Sequence, residues 1–246
     1  ILGNFFMATN PMHQFQVYKI GPEIKIAGID LSFTNASLFM LLSAFMICVV
    51  LFLGTKEKKI IPGKFQLISE MFYNFIAKMI NDTAGSKAKP YFPFIFSLFM
   101  FVLFCNMLGM LPYSFTVTSH IIVTLLMAIF IFIAVTVIGF LKHGFGYLKL
   151  FVPSGVPTLL LPLITIIEII SYLSRPVSLS VRLFANMMAG HTMLKVFGGF
   201  VISLGMLGGW LPLSFSVALT GLEILVAFLQ AYVFAILTCI YLNDAL

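Results

Sequence analysis

Runs of about 18 or more apolar residues with scarcely a charge recur from one end of this chain to the other, each long enough to cross roughly 30 Å of hydrocarbon as a helix. Inside lipid every backbone polar group must be satisfied within the chain, which leaves helices as the structure for such runs. The expected fold class is therefore all-α: one polytopic membrane domain over residues 1–246. Composition agrees, because 61% of the residues are hydrophobic and 9% are charged, against about 25% charged in soluble domains. The mean hydropathy of +1.12 excludes a water-soluble fold. A net charge of +6 in a soluble protein would suggest nucleic acid. Here the basic residues sit mainly between apolar runs, where membrane topology demands them, so no nucleic-acid partner is expected.

Cys48, Cys105 and Cys239 lie singly within apolar runs and form no CxxC pair, so neither a disulfide framework nor a zinc site is expected. His13, His120, His143 and His191 are scattered, without the facing pairs a membrane haem requires. No cofactor or metal is expected. The first residue is Ile, as in a chain processed or incomplete at its start, and the polar stretch from Asn10 to Asn35 lacks the charged n-region of a signal peptide.

The first span is expected at 36–53, ending at Lys56, Glu57, Lys58 and Lys59, a cluster that belongs on the cytoplasmic or matrix side. That places the segment 1–35 outside. Between 65 and 82, apolar Phe65, Ile68, Phe72, Phe75, Ile76 and Met79 recur at helical spacing among Glu70, Lys78 and Asp82. The pattern predicts an amphipathic helix on the inner surface. Second and third spans follow within 92–141, separated by Pro112 and an uncharged turn holding Ser114, Thr116, Thr118 and Ser119. Lys142, His143 and Lys149 return the chain to the inner side. The remainder, 158–242, reads as a long tilted helical hairpin bent around Gly205, Gly208 and Gly209. Its first arm, some 40 residues at about 1.5 Å each, is too long for a perpendicular crossing. It must tilt or kink, and Pro176 is the expected site of a kink.

That arm carries a polar ribbon. At about 100° per residue, Glu168, Ser171, Arg175, Ser178, Arg182 and Asn186 all project within roughly 40° of the direction of Arg182. An ionisable group at bilayer depth costs at least ~2.5 kcal/mol on insertion scales, so this face must meet water, a partner charge or an ion path. Ser171 and Ser174 are expected to be bonded to the backbone as helix glue, and Arg175 to snorkel to the inner interface. Arg182 stays charged at every relevant pH, and no acid within its own helical turn neutralises it. The second arm carries Glu223 and Gln230, seven residues apart on one face. An antiparallel register brings Arg182 opposite Gln230 and His191 opposite Glu223. A His beside a carboxylate in the membrane is a candidate proton relay, and a helix-pinning pair is compatible with that role. Because His191 lies about 180° from Arg182 on the wheel, the pairing is expected to need local winding or a bend near Gly190. Lys195 reads as a snorkelling lysine outside the path.

The segment Ser178-Leu-Ser-Val-Arg182-Leu-Phe-Ala-Asn186-Met-Met-Ala-Gly190-His191 closely resembles the signature of the a subunits of F-type ATP synthases. The resemblance continues through Cys105 to His120, Arg175-Pro176-Val-Ser178, Leu229-Gln230-Ala-Tyr232-Val-Phe234 and the closing Cys239 to Leu246. His191 and Glu223 stand as in the alphaproteobacterial and mitochondrial branch, and Gly109 stands where some relatives carry an acid. The resemblance implies a non-catalytic stator with two offset aqueous half-channels serving a rotating ring of c subunits, whose carboxylates this chain does not supply. It implies that Arg182 is the central arginine, keeping the ring carboxylate ionised and the half-channels apart. His191 and Glu223 then serve the outer path, Asn186 and Gln230 its junction, and Glu168 and Ser178 the inner path. Expected partners are the c-subunit ring, peripheral-stalk b-type subunits, other F0 subunits and the lipid bilayer. The expected location is an energy-coupling inner membrane, bacterial or mitochondrial, with the C-terminus on the cytoplasmic or matrix side. Two other readings compete: a secondary transporter in which Arg182 binds a small anion, and a structural anchor for other subunits. The first predicts an inverted repeat, which the sequence does not show, and the second leaves the intramembrane charges unexplained.

Overall fold

The computed structural model describes residues 15–20, 25–26, 29–30, 32–56, 62–111, 114–151 and 160–246. Six α-helices dominate these residues: α1 (Asn35–Lys56), α2 (Lys64–Ala84), α3 (Phe92–Gly109), α4 (Ile121–His143), α5 (Leu161–Gly208) and α6 (Trp210–Ala245). Short 3-10 turns at Ser86–Tyr91, Val117–Ser119 and Gly144–Phe151 connect them. The only strands among the described residues, β1 (Lys25–Ile26) and β2 (Ile29–Asp30), form a small antiparallel hairpin ahead of α1. Five helical segments among the described residues are long and apolar enough to cross a membrane. The chain is an all-α, multi-pass membrane protein. Of the expected basic cluster after the first span only Lys56 is described; Pro112, and residues 152–159 where the long hairpin is expected to begin, lie outside the described residues.

The core lies between α2, α3 and α6. Helix α3 buries Ile95, Phe99, Met100, Val102 and Leu103, and α6 meets it with Ala227, Ala231, Ala235 and Cys239, all fully buried. Small residues at every fourth position let two helix backbones approach closely, which is how helices associate where no hydrophobic force separates them from lipid. Helix α2 is more than a surface element. Its Ile76 and Ile80 are buried, and Phe75 contacts the rings of Phe99, Phe228 and Tyr232 at centroid distances of 5.6 to 5.8 Å. Phe65, Leu67, Met71 and Tyr73 on the same helix are exposed. Helix α1 lies against α2 where Gly54 sits so near Ser69 that a Cβ would come within 2.0 Å of its Oγ.

Helix α5 packs between α4 and α6. It keeps helical dihedral angles through Pro176 and departs from them at Gly205, where φ is 61° and ψ −158°. Gly205 has no Cβ and tolerates positive φ, and the break falls within the glycine-rich bend expected of the hairpin. Gly209 alone separates α5 from α6, and a Cβ there would lie 2.6 Å from the carbonyl oxygen of Gly205. This close approach closes the hairpin.

Candidate functional site

The buried side chains of α5, among them Tyr172, Leu179, Leu183 and Met187, centre roughly 100° around the helix from Arg182. The polar ribbon lies beside that stripe rather than on it. Ser171, Ser178 and Arg182 are exposed, Glu168 and Arg175 partly so. Beside the ribbon the exposed surface of α5 is apolar, with Val177 and Val181 51% and 44% exposed. Among the described residues no carboxylate lies within ion-pairing distance of Arg182. Its guanidinium thus stands near the middle of a 45-residue span, exposed and without an ion-pair partner among the described residues.

The two margins of the buried stripe carry the polar contacts to α6. At about 40° from Arg182, Asn186 donates through Nδ2 to Oε1 of Gln230 at 3.0 Å. At about 180°, His191 Nδ1 lies 3.5 Å from Glu223 Oε1, both side chains nearly buried. Glu223 and Gln230 share one face of α6, so α6 crosses the stripe of α5 obliquely and meets one margin at each pair. This revises the expected register in two respects. Gln230 faces Asn186 rather than Arg182, and His191 reaches Glu223 without unwinding, because the helix stays regular through Gly190. What Gly190 contributes is space, since a Cβ there would lie 2.8 Å from Glu223 Oε1.

Three contributors were not read as site residues from the sequence. Thr116, in the turn after α3, sits 3.0 Å from His191 Nε2 through Oγ1, and the only sequence signal was an uncharged hydroxyl-rich turn between spans. Asn106 donates through Nδ2 to the carbonyl of Ala227 at 3.2 Å, one turn along α6 from Glu223. Asp244 takes a 3.1 Å ion pair from Arg175, whose guanidinium also lies 4.9 Å from the Tyr241 ring centroid. Arg175 therefore clamps the end of α6.

Several buried polar atoms on the elements adjoining His191 and Glu223 have no protein hydrogen-bond partner: Asn106 Oδ1, Thr118 Oγ1, His120 Nε2, Gln230 Nε2 and both carboxylate oxygens of Glu223. Buried polar groups are ordinarily satisfied, by ordered water where protein does not reach. Glu168 and Ser178 make no contact with this cluster; Glu168 lies some 21 Å along the helix from Arg182 at about 1.5 Å per residue. Ser174 donates to the Ser171 carbonyl at 2.8 Å, as helix glue does. Cys105 meets Ser43 at 3.2 Å, and Cys239 lies in the core. Among the described residues no group of three or more His, Cys, Asp or Glu is placed to hold a metal ion.

The family model described as ATP synthase A chain matches residues 37–243. A protein named ATP synthase subunit a from Pelagibacter ubique is 78% identical over 240 residues, covering 98% of each chain. Proteins of the same name from Chelativorans sp. and Rhizobium rhizogenes are 61% identical over 246 residues and 62% over 245, with 97 to 98% of each chain covered. These relatives are alphaproteobacterial, and nothing in the match supports a solute transporter. A family match that spans the polar ribbon, the Asn186–Gln230 and His191–Glu223 contacts and nearly all of the membrane helices identifies this chain as a member of the ATP synthase A chain family, the non-catalytic, proton-translocating stator subunits of the F0 sector.

Proposed function

We propose that Arg182 is the fixed charge against which carboxylates of a c-subunit ring are ionised, and that it divides two half-channels leading to opposite sides of the membrane. The observation that carries this reading is the exposed Arg182, without an ion-pair partner among the described residues, on a polar ribbon of α5 bordered by exposed apolar side chains. A permanent cation at membrane depth needs an anion, and the described residues supply none within ion-pairing distance, so the partner is a carboxylate on another subunit. Coulomb attraction lowers the pKa of that carboxylate as it passes, favouring release on one side and loading on the other. The apolar side chains flanking Arg182 are the surface on which such a ring turns.

Glu223, His191, Asn186 and Gln230 belong to the outer path, and the unpaired polar atoms of Asn106, Thr118 and His120 support a hydrated approach to them. Glu168 and Ser178, on the same exposed ribbon N-terminal to Arg182, belong to the inner path. With the basic loops inside, the N-terminus lies outside and the C-terminus on the cytoplasmic or matrix side. Helix α2 lies along the inner surface with its exposed apolar side chains toward lipid or the b-type subunits of the peripheral stalk. The test is Arg182→Ala in the complete ATP synthase in vesicles: the complex assembles, and ATP-driven proton pumping is lost. Coupled pumping retained in that variant overturns the proposal.

A further inference from the structure

The geometry points to Thr116 as a positioning residue that holds neutral His191 in its Nε2–H tautomer, so that Nδ1 is the nitrogen that exchanges a proton with Glu223. The inference rests on the proposed role of the His191–Glu223 pair and concerns a residue of the turn after α3. Thr116 is 3% exposed, and its Oγ1 has two neighbours, the Gly109 carbonyl oxygen at 3.1 Å and His191 Nε2 at 3.0 Å. A hydroxyl has one proton to donate and lone pairs with which to accept.

The Gly109 carbonyl oxygen can only accept, so the 3.1 Å approach of Thr116 Oγ1 is a hydrogen bond only when Thr116 gives its proton there; with that proton turned elsewhere the two oxygens would meet lone pair to lone pair. Ser114 Oγ also reaches this carbonyl, at 2.9 Å, and an oxygen with two lone pairs accepts from both hydroxyls. With its proton given to Gly109, Thr116 can only accept from His191, and Nε2 must carry hydrogen. The ring nitrogen opposite is then bare in the neutral imidazole, because the bond made by one nitrogen sets the state of the other. That bare Nδ1 is the atom 3.5 Å from Glu223 Oε1. Phe15 meets the His191 ring edge-on at a centroid distance of 6.4 Å, and Gly109 leaves room for the hydroxyl, since a Cβ there would lie 2.6 Å from Thr116 Cγ2.

The proton step balances within the pair. The carboxyl O–H of Glu223 breaks and an Nδ1–H bond forms, giving carboxylate and imidazolium with no change in total charge; the reverse step returns the proton. Nε2 keeps its hydrogen throughout, and the Thr116 proton ends on a backbone carbonyl that cannot pass it on. His191 is thus a side arm that takes and returns the proton of Glu223, not a link that hands it onward through its far nitrogen.

The test uses the assembled ATP synthase with 15N-labelled histidine, the His191 signal being assigned by its loss in His191→Gln. Wild type is expected to show neutral His191 with a protonated Nε2 and an unprotonated Nδ1. Thr116→Val, equal in shape but without the hydroxyl, should lose that preference and slow ATP-driven proton pumping by at least about tenfold. Thr116→Ser should restore both. An Nδ1–H tautomer in wild type, or an unchanged tautomer in Thr116→Val, overturns the inference, and the wild-type spectrum decides alone if the Val variant does not assemble. Pumping that survives His191→Gln would instead remove the proposed role of the pair while leaving the tautomer reading to the spectrum.

Discussion

Asn186 and Gln230 are joined by a 3.0 Å hydrogen bond one helical turn from Arg182, and it leaves the guanidinium without an ion-pair partner among the described residues. The amide of Gln230 is nearly buried, with Nε2 unsatisfied by protein. The contact fixes α6 against the margin of α5 beside the arginine while adding no negative charge that could compete for it. A register that paired Gln230 with Arg182 would have engaged the charge the proposed mechanism needs free.

This pair can be weighed directly. Interhelical side-chain hydrogen bonds in membrane proteins average about 0.6 kcal/mol in double-mutant cycles. Asn186→Ala and Gln230→Ala should couple by about that amount in the detergent stability of the purified chain. Strictly additive effects would show that the bond holds nothing together.

Gly190 should tolerate no side chain. A Cβ there would press within 2.8 Å of Glu223 Oε1 and push the carboxylate away from His191. Gly190→Ala is expected to cost about 1–3 kcal/mol of stability by overpacking and to reduce ATP-driven proton pumping by at least about tenfold. Pumping at the wild-type rate in vesicles would show that the separation of Glu223 and His191 is immaterial.

The Arg175–Asp244 pair is partly exposed, with side chains 22% and 34% accessible, and its worth is correspondingly small. Coupling between Arg175→Ala and Asp244→Ala should not exceed about 1 kcal/mol. Arg175→Ala alone should cost slightly more than the pair implies, because it also removes the contact with the Tyr241 ring, about 0.5–1 kcal/mol. Thermal unfolding of the four members of the cycle measures both.

His120 caps α4 just before its first helical residue and stacks on Phe115 at 5.0 Å. Burial lowers its pKa below the ordinary value of 6.5. The unfolded chain therefore binds a proton at a pH where the folded chain does not, and stability must fall as pH drops through about 6.5 toward the depressed folded value. Above that window the group contributes no pH dependence. Replacing it with Phe, which keeps a ring against Phe115, should flatten the dependence of the unfolding midpoint on pH just below 6.5. An unchanged slope would place the acid sensitivity elsewhere.

The fold was largely legible in the sequence because a membrane leaves an apolar run few alternatives: length and charge set where helices cross, and backbone hydrogen bonding sets that they are helices. Helical periodicity likewise placed Glu168, Ser178, Arg182 and Asn186 on one ribbon, and the cost of burying charge marked that ribbon as a candidate ion path. Spacing along one helix says nothing about the angle at which the next helix crosses it. Only the tertiary structure could show that α6 passes obliquely over α5, joining Asn186 to Gln230 at one margin and His191 to Glu223 at the other, with the backbone regular between. The glycine-rich stretch marked where the hairpin bends, and the structure puts the departure from helical dihedrals at Gly205, where a missing Cβ permits positive φ. Thr116 was the least visible, since a hydroxyl in a turn has no periodicity to betray it. Its meaning depends on the side chain that a distant helix brings within 3.0 Å, and that is decided by packing alone.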